Sequence, residues 1–563
     1  MKKRILTFVL SLVMILSCVV SSALVVSADD MVTATENWYT EADTLYIENA
    51  SDLLAFARAL DEDQNFDGQT IYLCNDIVLN SGSVENWNPN DANFIKYVAH
   101  NVDGKFCGTF DGQGHVISGL YTIATSTNAA ALIPYATGNA TIRNVTILNS
   151  YFGGEQYIST VVGSYEASTL NSVLTIENVH VEDTTINATK QDSAGFLGYV
   201  GDADCTGIEI IVQDVTFVGG SITVGRHSGG IVGRIYNTKG YDKAVSLTMS
   251  RIVLNTDLKL SHSNTDIKSG SLIGNLNGFH SVNVSNVFIG GTLTVVTSNS
   301  KNSAGLVGIL SDSTTNVSGD NRAILDVTNV LLAQVCNNVN AVWFNRAAAY
   351  DGTNTKSAKD KFTNVYYDSD VVKIDDTGAT GCKALMVNDV PDSETAKSFA
   401  TLKGTQAGYT GWIAVKDSYP VPTARPARLL GYQSSYATDV KDANNANETY
   451  SIRLIAALND TFYTYAGFEN ITITYTDGNG QPVNVPKENY FCNYAYTSVI
   501  GTDKTGAVQT YTASEYYADY LIALVITGIP ENVTEFTVTV NPFAGNGDVS
   551  FAGLTKTVQI SAQ

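Results

Sequence analysis

Three aspartates lie near the ends of successive β-branched runs and are well placed for acid–base chemistry. Asp183, Asp214 and Asp257 fall near corresponding points of segments that repeat along the sequence. If those segments stack, the carboxylates could approach the separation of roughly 5 to 9 Å that glycoside hydrolysis requires. One basic dyad, Arg226 and His227, lies in a predicted loop. A carbohydrate-active site on these residues is therefore one hypothesis.

The sequence lacks the motifs by which many catalytic sites are recognised. It contains no HExxH, GxSxG or CxxC motif and no Walker-type phosphate loop. Aspartates beside strands are also common in turns, and Asp111, within the string FDGQGH, is interpreted as a turn residue. The residues therefore favour a protein that binds without catalysis.

Aromatic residues form the second group with functional potential. The C-terminal 130 or so residues are rich in tyrosine, and four of these could form a platform on which sugar rings stack: Tyr463, Tyr465, Tyr494 and Tyr496. Tyrosine is also a good strand residue with a polar end, so the pattern favours an ordinary sheet over a binding platform.

The elements that must position these residues are repeated. A string of three small residues, two apolar residues and glycine recurs at intervals of 34 to 41 residues. We call its last positions the glycine column: Gly163 (a looser copy), Gly198, Gly233, Gly274 and Gly308. A second set, the asparagine column, opens β-branched runs at nearly the same interval: Asn144, Asn178, Asp214, Arg251, Asn286, Asn329 and Asn364. Two signals at one period indicate a stacked supersecondary unit.

Each repeat holds short runs rich in Val, Ile and Thr, which are typical of strands and not of helical repeats. We therefore predict an all-β fold, a right-handed parallel β-helix of about seven coils followed by a β-sandwich domain. The asparagine amides are expected to hydrogen-bond along the axis, with Asp214 altering and Arg251 interrupting the ladder. The glycines are expected either to adopt positive φ or to avoid collisions of Cβ atoms between coils.

Specific strings carry a family resemblance. The strings SAGFLG, SGGIVG and SAGLVG, with FCGTFDGQGHVISGL at 106–120, resemble the GLUG-type repeats of bacterial secreted and cell-surface proteins. Segments 49–80, 362–370 and 412–422 are similar to the opening and closing segments of those proteins. The resemblance covers about 49–422 and implies a parallel β-helix at the cell surface. The C-terminal part resembles, more weakly, a β module of secreted clostridial proteins.

The expected organisation follows from these boundaries. Ser51 is predicted to cap an amphipathic helix, 51–60, that covers the open edge of the first coil. The predicted parts are a signal peptide, 1–28; an opening and capping region, 29–123; the repeat β-helix, 124–370; a closing segment, 371–422; a proline-rich linker, 423–430; and the C-terminal module, 431–563. Lipid modification at Cys18 is the alternative to cleavage after Ala28.

Composition narrows the classes of partner. The formal charge is −22, and removal of the signal peptide with its three cations would give about −25, which excludes a basic nucleic-acid footprint. Carboxylate-rich stretches such as 202–204 and 368–376 could bind Ca²⁺, although their spacing matches no known calcium loop; no other cofactor is expected. Cys74 and Cys107 are the first pair to check for a disulfide. No transmembrane anchor is predicted after signal removal.

The sequence thus predicts a secreted or cell-surface adhesion scaffold that recognises a glycan or another surface partner. A polysaccharide lyase or glycoside hydrolase on the β-helix is the first alternative. A structural spacer that displays the C-terminal module is the second.

Overall fold

The computed structural model of the 563-residue chain describes most of the repeat region and parts of the C-terminal region. The described residues are 33–99, 101–125, 128–167, 169–201, 207–236, 245–261, 268–278, 280–296, 304–311, 323–336, 348–350, 359–367, 412, 421–423, 428–434, 449–458, 471–492, 498–502, 508–512, 520–530, 533, 535–540 and 554–559. The predicted signal peptide lies outside them.

Strands dominate the described part of the chain. The strands up to residue 367 are β1 (Thr44–Ile47), β2 (Thr70–Leu73), β3 (Ile77–Val78), β4 (Thr109–Asp111), β5 (Val116–Ser118), β6 (Tyr121–Ile123), β7 (Ile133–Ala136), β8 (Ala140–Leu148), β9 (Tyr151–Gln156), β10 (Val162–Tyr165), β11 (Val173–Glu182), β12 (Thr185–Gln191), β13 (Leu197–Val200), β14 (Ile208–Val224), β15 (Val232–Tyr236), β16 (Val245–Ser261), β17 (Ile273–Asn277), β18 (His280–Val296), β19 (Val307–Ser311), β20 (Ile324–Leu332), β21 (Val335–Cys336), β22 (Ala348–Tyr350) and β23 (Lys361–Tyr367).

These strands stack in parallel. One sheet runs in the order β1-β2-β4-β8-β11-β14-β16-β18-β20-β23, and a second runs β22-β19-β17-β15-β13-β10-β7. All neighbouring pairs along both orders are parallel. The architecture is a parallel β-solenoid of about seven turns, which confirms the predicted all-β class and repeat fold.

The core lies between the sheets because alternate side chains of each strand point inward. One inward column shows the pattern, with its members aligned in successive coils: Ile142, Ile176, Val212, Met249, Val284 and Val327. All six are buried. The β-branched and long apolar side chains that predicted strands therefore also fill the axis of the solenoid.

The chain turns at residues with positive φ. Every member of the asparagine column has a φ between 51° and 56°. Asparagine tolerates this left-handed conformation better than most residues do, so the column marks a corner of each coil. The predicted glycine turn is wrong in this respect, since no member of the glycine column has a positive φ.

A single α-helix is present in the described residues, and it covers the first coils. Helix α1 spans Ala50–Asp61, and its N-cap is Asn49, whose side chain accepts a hydrogen bond from the backbone N–H of Asp52. The predicted cap, Ser51, lies inside the helix instead. Phe56 on its buried face packs against Phe66 and Phe110, with ring centroids 5.3 and 5.6 Å away. The helix thus closes the end of the apolar core, as its amphipathic pattern predicted.

The solenoid begins before the predicted repeat domain. Strands β1, β2 and β4 continue the same parallel sheet as the repeats, in register from Thr44 through Thr70 and Thr109 to Thr141. The segment predicted as a capping region, 29–123, therefore contributes coils of its own. Its repeats escaped detection because they lack the glycine string.

Further along the chain, Trp412 packs on the outside of the solenoid. It is 1% exposed and contacts a cluster that includes Val253, Phe288 and Leu331. Its indole Nε1 donates to Asn286 Oδ1 at 3.1 Å. Part of the predicted closing segment thus covers an apolar stripe on the outer face.

The C-terminal strands pair antiparallel instead of parallel. They are β24 (Arg428–Ser434), β25 (Thr449–Leu458), β26 (Ile471–Thr476), β27 (Pro482–Asn484), β28 (Tyr490–Cys492), β29 (Ser498–Thr502), β30 (Val508–Thr512), β31 (Tyr520–Pro530), β32 (Glu535–Val540) and β33 (Leu554–Gln559). Two short 3-10 helices, Val84–Asn86 and Lys487–Asn489, complete the described helices. The pairs form sheets β24-β25-β31-β28 and β27-β26-β32-β33, with a separate hairpin β29-β30.

Candidate functional site

The three predicted catalytic aspartates occupy three different columns of the solenoid. Asp214 aligns with Arg251 in the asparagine column, whereas Asp257 aligns with Ser221 and Thr185. Asp183 lies at a separate corner with a φ of 45°, opposite Gly219 of the next coil. Two coil steps, or roughly 10 Å, separate Asp183 from the coil of Asp257. The expected alignment of the three carboxylates is therefore wrong. Asp183 and Asp214 are 31 residues apart and Asp214 and Asp257 are 43 apart, whereas paired positions of these coils are 36 or 37 residues apart.

Asp214 and Asp257 are held by neighbouring side chains. Asp214 forms an ion pair with Arg251, and Asp257 Oδ1 accepts a hydrogen bond of 2.6 Å from the Thr292 hydroxyl. The hydrogen bonds that Arg251 donates to Asp214 raise the pKa of Arg251. Both oxygens of Asp214 are thus occupied by the guanidinium of Arg251.

The glycine column lies where successive coils approach closely. A Cβ atom on Gly198 would stand 2.6 Å from the carbonyl oxygen of Gly163, and one on Gly233 would stand 2.2 Å from that of Gly198. The corresponding distance is 2.5 Å for Gly274 to Gly233 and 2.4 Å for Gly308 to Gly274. Real Cβ atoms do not come so near a carbonyl, so the column sets the spacing of the coils.

The asparagine column carries side-chain hydrogen bonds between coils. Asn178 Nδ2 donates to Asn144 Oδ1 at 2.9 Å. The same bond joins Asn329 to Asn286 and Asn364 to Asn329, each at 3.1 Å. These contacts have the geometry expected of an amide ladder. The asparagine column therefore has a structural role.

Several predicted sites lie outside the described residues. They are the four tyrosines Tyr463, Tyr465, Tyr494 and Tyr496 and the two carboxylate-rich stretches 202–204 and 368–376. Within the described ranges, no group of three or more His, Cys, Asp or Glu side chains is arranged to hold a metal ion. Cys74 and Cys107 are free thiols, and burial raises the pKa of both, to about 11 for Cys107.

An aromatic cluster on one flank of the solenoid was not foreseen from the sequence. Four partly exposed rings form it, and we call it the aromatic platform: Trp87, Phe94, Tyr121 and Tyr151. Tyr121 and Tyr151 stack with centroids 5.2 Å apart and planes inclined by 19°. Phe94 and Trp87 meet Tyr121 edge to face, at 5.0 and 6.2 Å.

The solenoid positions two of these rings through strand register. Tyr121 and Tyr151 are paired residues of β6 and β9, so their rings stand one coil apart. A Cβ on Gly153 would lie 2.8 Å from the ring of Tyr151. Gly153 therefore leaves the space in which that ring lies across the strand. Burial is the main cause that raises the pKa of Tyr121, so its hydroxyl remains neutral.

A loop holds the other two rings. The side chain of Asn80 binds the Ile95 backbone through both its amide nitrogen, at 2.8 Å, and its oxygen, at 2.9 Å. Trp87 Nε1 donates to the carbonyl oxygen of Ser81 at 2.9 Å. Asn149, at a corner of the solenoid, accepts a 3.4 Å hydrogen bond from Val84 N. These bonds fix the loop and hold Trp87 and Phe94 against the stacked tyrosines.

Polar side chains border the platform on its C-terminal side. Asn187 Nδ2 donates to the hydroxyl of Tyr151 at 3.3 Å. Thr185 and Ser221 continue the column of Tyr151 into the next two coils. The sequence does contain a signal for the platform. Tyr121 follows a Gly corner and Tyr151 follows an Asn corner, and the two corners are 30 residues apart. Only the register shows that they stack.

Comparisons with known proteins give little further guidance. No family model matches the chain, so the resemblance to GLUG-type repeats stays a prediction. The chain is similar to Halomucin of Haloquadratum walsbyi, with 29% identity over 157 residues, which is 28% of this chain and 2% of Halomucin. The match therefore spans a small fraction of that protein. No solved structure matches.

Among the helices of the described residues, none has the length and apolar character that a membrane crossing requires.

Proposed function

We propose that this protein is a secreted or cell-surface scaffold that binds a glycan on the flank of its solenoid without changing it chemically. The aromatic platform is the observation that carries the proposal. Its four rings are partly exposed, rigidly held and next to hydroxyl and amide side chains. This combination suits a sugar, which presents an apolar face to an aromatic ring and hydroxyl groups to polar neighbours.

The way the platform is held supports binding over a purely structural role. An aromatic cluster formed only for stability would be expected in the core, as Phe56, Phe66 and Phe110 are. Trp87 and Tyr121 instead remain partly exposed while their geometry is fixed by backbone hydrogen bonds and ring contacts. Preorganised rings lose little conformational entropy on binding, which favours affinity.

The location is proposed on two grounds. The N-terminus carries the charged, apolar and small-residue regions of an export signal. The similarity to Halomucin fits a secreted or surface protein as well.

We extend the proposal to the C-terminal strands. Their two antiparallel four-stranded sheets would pack as a β-sandwich and display a second, tyrosine-rich glycan surface.

Glycan binding by the mature full-length chain tests the proposal directly. The protein would be applied to an array of pectins, mucin glycans, xylans and alginate, and the Kd of the best glycan measured by titration calorimetry. Trp87→Ala and Tyr151→Ala should each weaken binding roughly tenfold or more, since buried aromatic anchors dominate such interfaces.

A matched control lies on the same molecule. Tyr46 and Tyr72 also stack in adjacent coils, at 6.1 Å, and Tyr46 is 54% exposed, but no Trp or Phe ring among the described residues contacts the rings of that pair. Tyr46→Ala should leave the Kd unchanged. Equal losses in all three variants would contradict the assignment of the site. New reducing ends or unsaturated products would favour the enzyme, and the absence of any glycan binding would favour the spacer.

A further inference from the structure

A second cluster of functional side chains lies at another corner of the coils. This corner also has positive φ, at Tyr157, Asp192, His227 and Lys268, six residues before the first four members of the glycine column. The glycines allow the corner to lie close against the following strand, since a Cβ on Gly198 would stand 3.0 Å from the carbonyl oxygen of Asp192. We call these four positions the corner column.

Corner residues face strand residues of the next coil in a repeated relation. Tyr157 lies against Tyr199, with ring centroids 4.9 Å apart. One coil further, Asp192 faces Arg234, with Oδ2 and Nη1 3.7 Å apart. Both pairs join residues 42 positions apart in the sequence. An aromatic pair and a charged pair therefore lie side by side along one line of the solenoid surface.

The charged pair has unused hydrogen-bonding capacity. Asp192 is 1% exposed, and its Oδ1 lies 3.3 Å from His227 Nδ1. Within the described residues, these two atoms and Nε of Arg234 are buried without a hydrogen-bond partner. The guanidinium of Arg234 also lies 4.2 Å from the centroid of the Tyr236 ring, which fixes its plane. The buried carboxylate of Asp192 thus contacts both Arg234 and His227 and holds them in position.

A second arginine adds positive charge to the same place. Arg226 Nε donates to Gln191 Oε1 at 2.9 Å, and no carboxylate in the described part of the chain pairs with this arginine. Arg226 is the chain neighbour of His227, and Arg234 lies 3.7 Å from the Asp192 carboxylate that His227 also faces. Burial is the largest cause that lowers the pKa of His227, and the charges of Arg234 and Arg226 lower it further. Asp192 balances Arg234, and Glu166 near Tyr157 is balanced by Lys105, so Arg226 leaves one positive charge here on a chain whose net charge is −22.

We propose that Arg226 and Arg234, together with the Tyr157–Tyr199 pair, form a subsite for an anionic sugar residue. The tyrosine rings would contact the apolar face of the sugar, and the guanidinium groups would bind its carboxylate or sulfate through paired N–H donors. This inference rests on the proposed glycan-binding function and names the charge class of the ligand. It places the anionic residue on the corner column, separate from the aromatic platform.

The test compares charge variants of the full-length protein on defined oligosaccharides. The probes are alginate oligosaccharides for carboxylate, sulfated dextran oligosaccharides for sulfate and xylo-oligosaccharides as a neutral ligand. Arg226→Gln and Arg234→Lys should each weaken binding of an anionic probe roughly tenfold and leave the neutral probe unaffected. Raising the salt concentration should weaken the anionic probe in the parent far more than in Arg226→Gln.

Lys190→Gln is the matched control. Lys190 lies one coil from Arg226, is 57% exposed and is already paired with Glu155, so its removal changes the net charge equally. Far-UV circular dichroism and the melting temperature would verify that each variant is folded. Arg234→Lys keeps the charge and loses only the planar fork, so a loss there identifies the guanidinium geometry.

The outcomes separate the two proposals. Neutral and anionic probes bound equally, with Arg226→Gln no weaker than Lys190→Gln, would overturn the anionic subsite and leave glycan binding intact. Loss of anionic binding in Arg226→Gln with no effect of Trp87→Ala would uphold the subsite and overturn the aromatic platform. Failure of the parent protein to bind any probe would overturn both.

Discussion

Arg251 binds the carboxylate of Asp214 through both Nε and Nη2, inside a column of positions that otherwise holds asparagine. The two residues are paired across β14 and β16, and both have a φ of 53°. The ion pair thus replaces two rungs of an amide ladder that runs from Asn144 to Asn178 and again from Asn286 to Asn364.

Restoring the ladder should preserve stability. Asp214→Ala is expected to cost about 1 kcal/mol of unfolding free energy, because it removes the carboxylate from a half-exposed pair. The double variant Asp214→Asn with Arg251→Asn should remain within about 1 kcal/mol of the parent, since asparagine favours the left-handed corner and can bond its neighbour. Denaturant titration followed by far-UV circular dichroism measures both. A double variant less stable than Asp214→Ala would contradict the ladder.

The glycine column should tolerate no side chain. Gly233→Ala is expected to cost more than about 2 kcal/mol, since its Cβ would collide with backbone oxygen atoms that belong to the sheet and cannot move independently. Gly201→Ala is the control, because its Cβ would meet only the side chains of Glu166 and Tyr199. Comparable melting temperatures for the two variants would show that the column does not set the coil spacing.

Acid should destabilise the solenoid through a buried histidine. His280 is 0% exposed, and burial lowers its pKa to about 4. Its neutral ring accepts from Val245 N at 3.3 Å and bonds the carbonyl oxygen of Asn277 at 3.0 Å.

In the unfolded chain the same group has a pKa of about 6.5, so the unfolded state binds the proton first as the pH falls. The stability contribution is complete above about pH 6.5 and is lost between about pH 6.5 and 4, by about 3 kcal/mol in total. His227, whose pKa is also lowered, adds to this loss in the same direction.

The measurement is the melting temperature between pH 7.5 and 4 for the parent and for His280→Gln. The variant should show a shallower decline, whatever its stability at neutral pH. The half-exposed His115, replaced by Gln, serves as the control. Parallel curves for the parent and His280→Gln would rule out this histidine as a source of the acid sensitivity.

Removal of Trp412 should release the segment that it anchors. Trp412→Ala is expected to cost about 3 kcal/mol or more, because the indole is buried against Val253, Phe288 and Leu331 and its Nε1 bonds Asn286. Limited proteolysis should then cut between the solenoid and the C-terminal strands at lower protease concentration than in the parent. An unchanged cleavage pattern would indicate that Trp412 does not hold the segment.

The repeat architecture could be predicted from the sequence because its causes are local and periodic. The glycine string and the β-branched runs after Asn144, Asn178 and their counterparts fix both the strand type and the interval. An amphipathic pattern likewise predicts helix α1 to within a residue at each end, although Asn49 and not Ser51 caps it. Propensity and periodicity suffice for such features, since each coil repeats the same local problem.

Register and lateral contacts depended on the tertiary structure. Asp183, Asp214 and Asp257 looked equivalent in the sequence but fall in three columns, because their spacings of 31 and 43 residues differ from the 36 or 37 residues between paired positions. Stacking of Tyr121 on Tyr151, like the pairing of Asp192 with Arg234, joins residues 30 to 42 positions apart, and only the strand register brings each pair into contact. The sequence alone determined that coils stack; which side chains meet on the surface was decided by the strand register, since a shift of one residue turns every side chain to the opposite face.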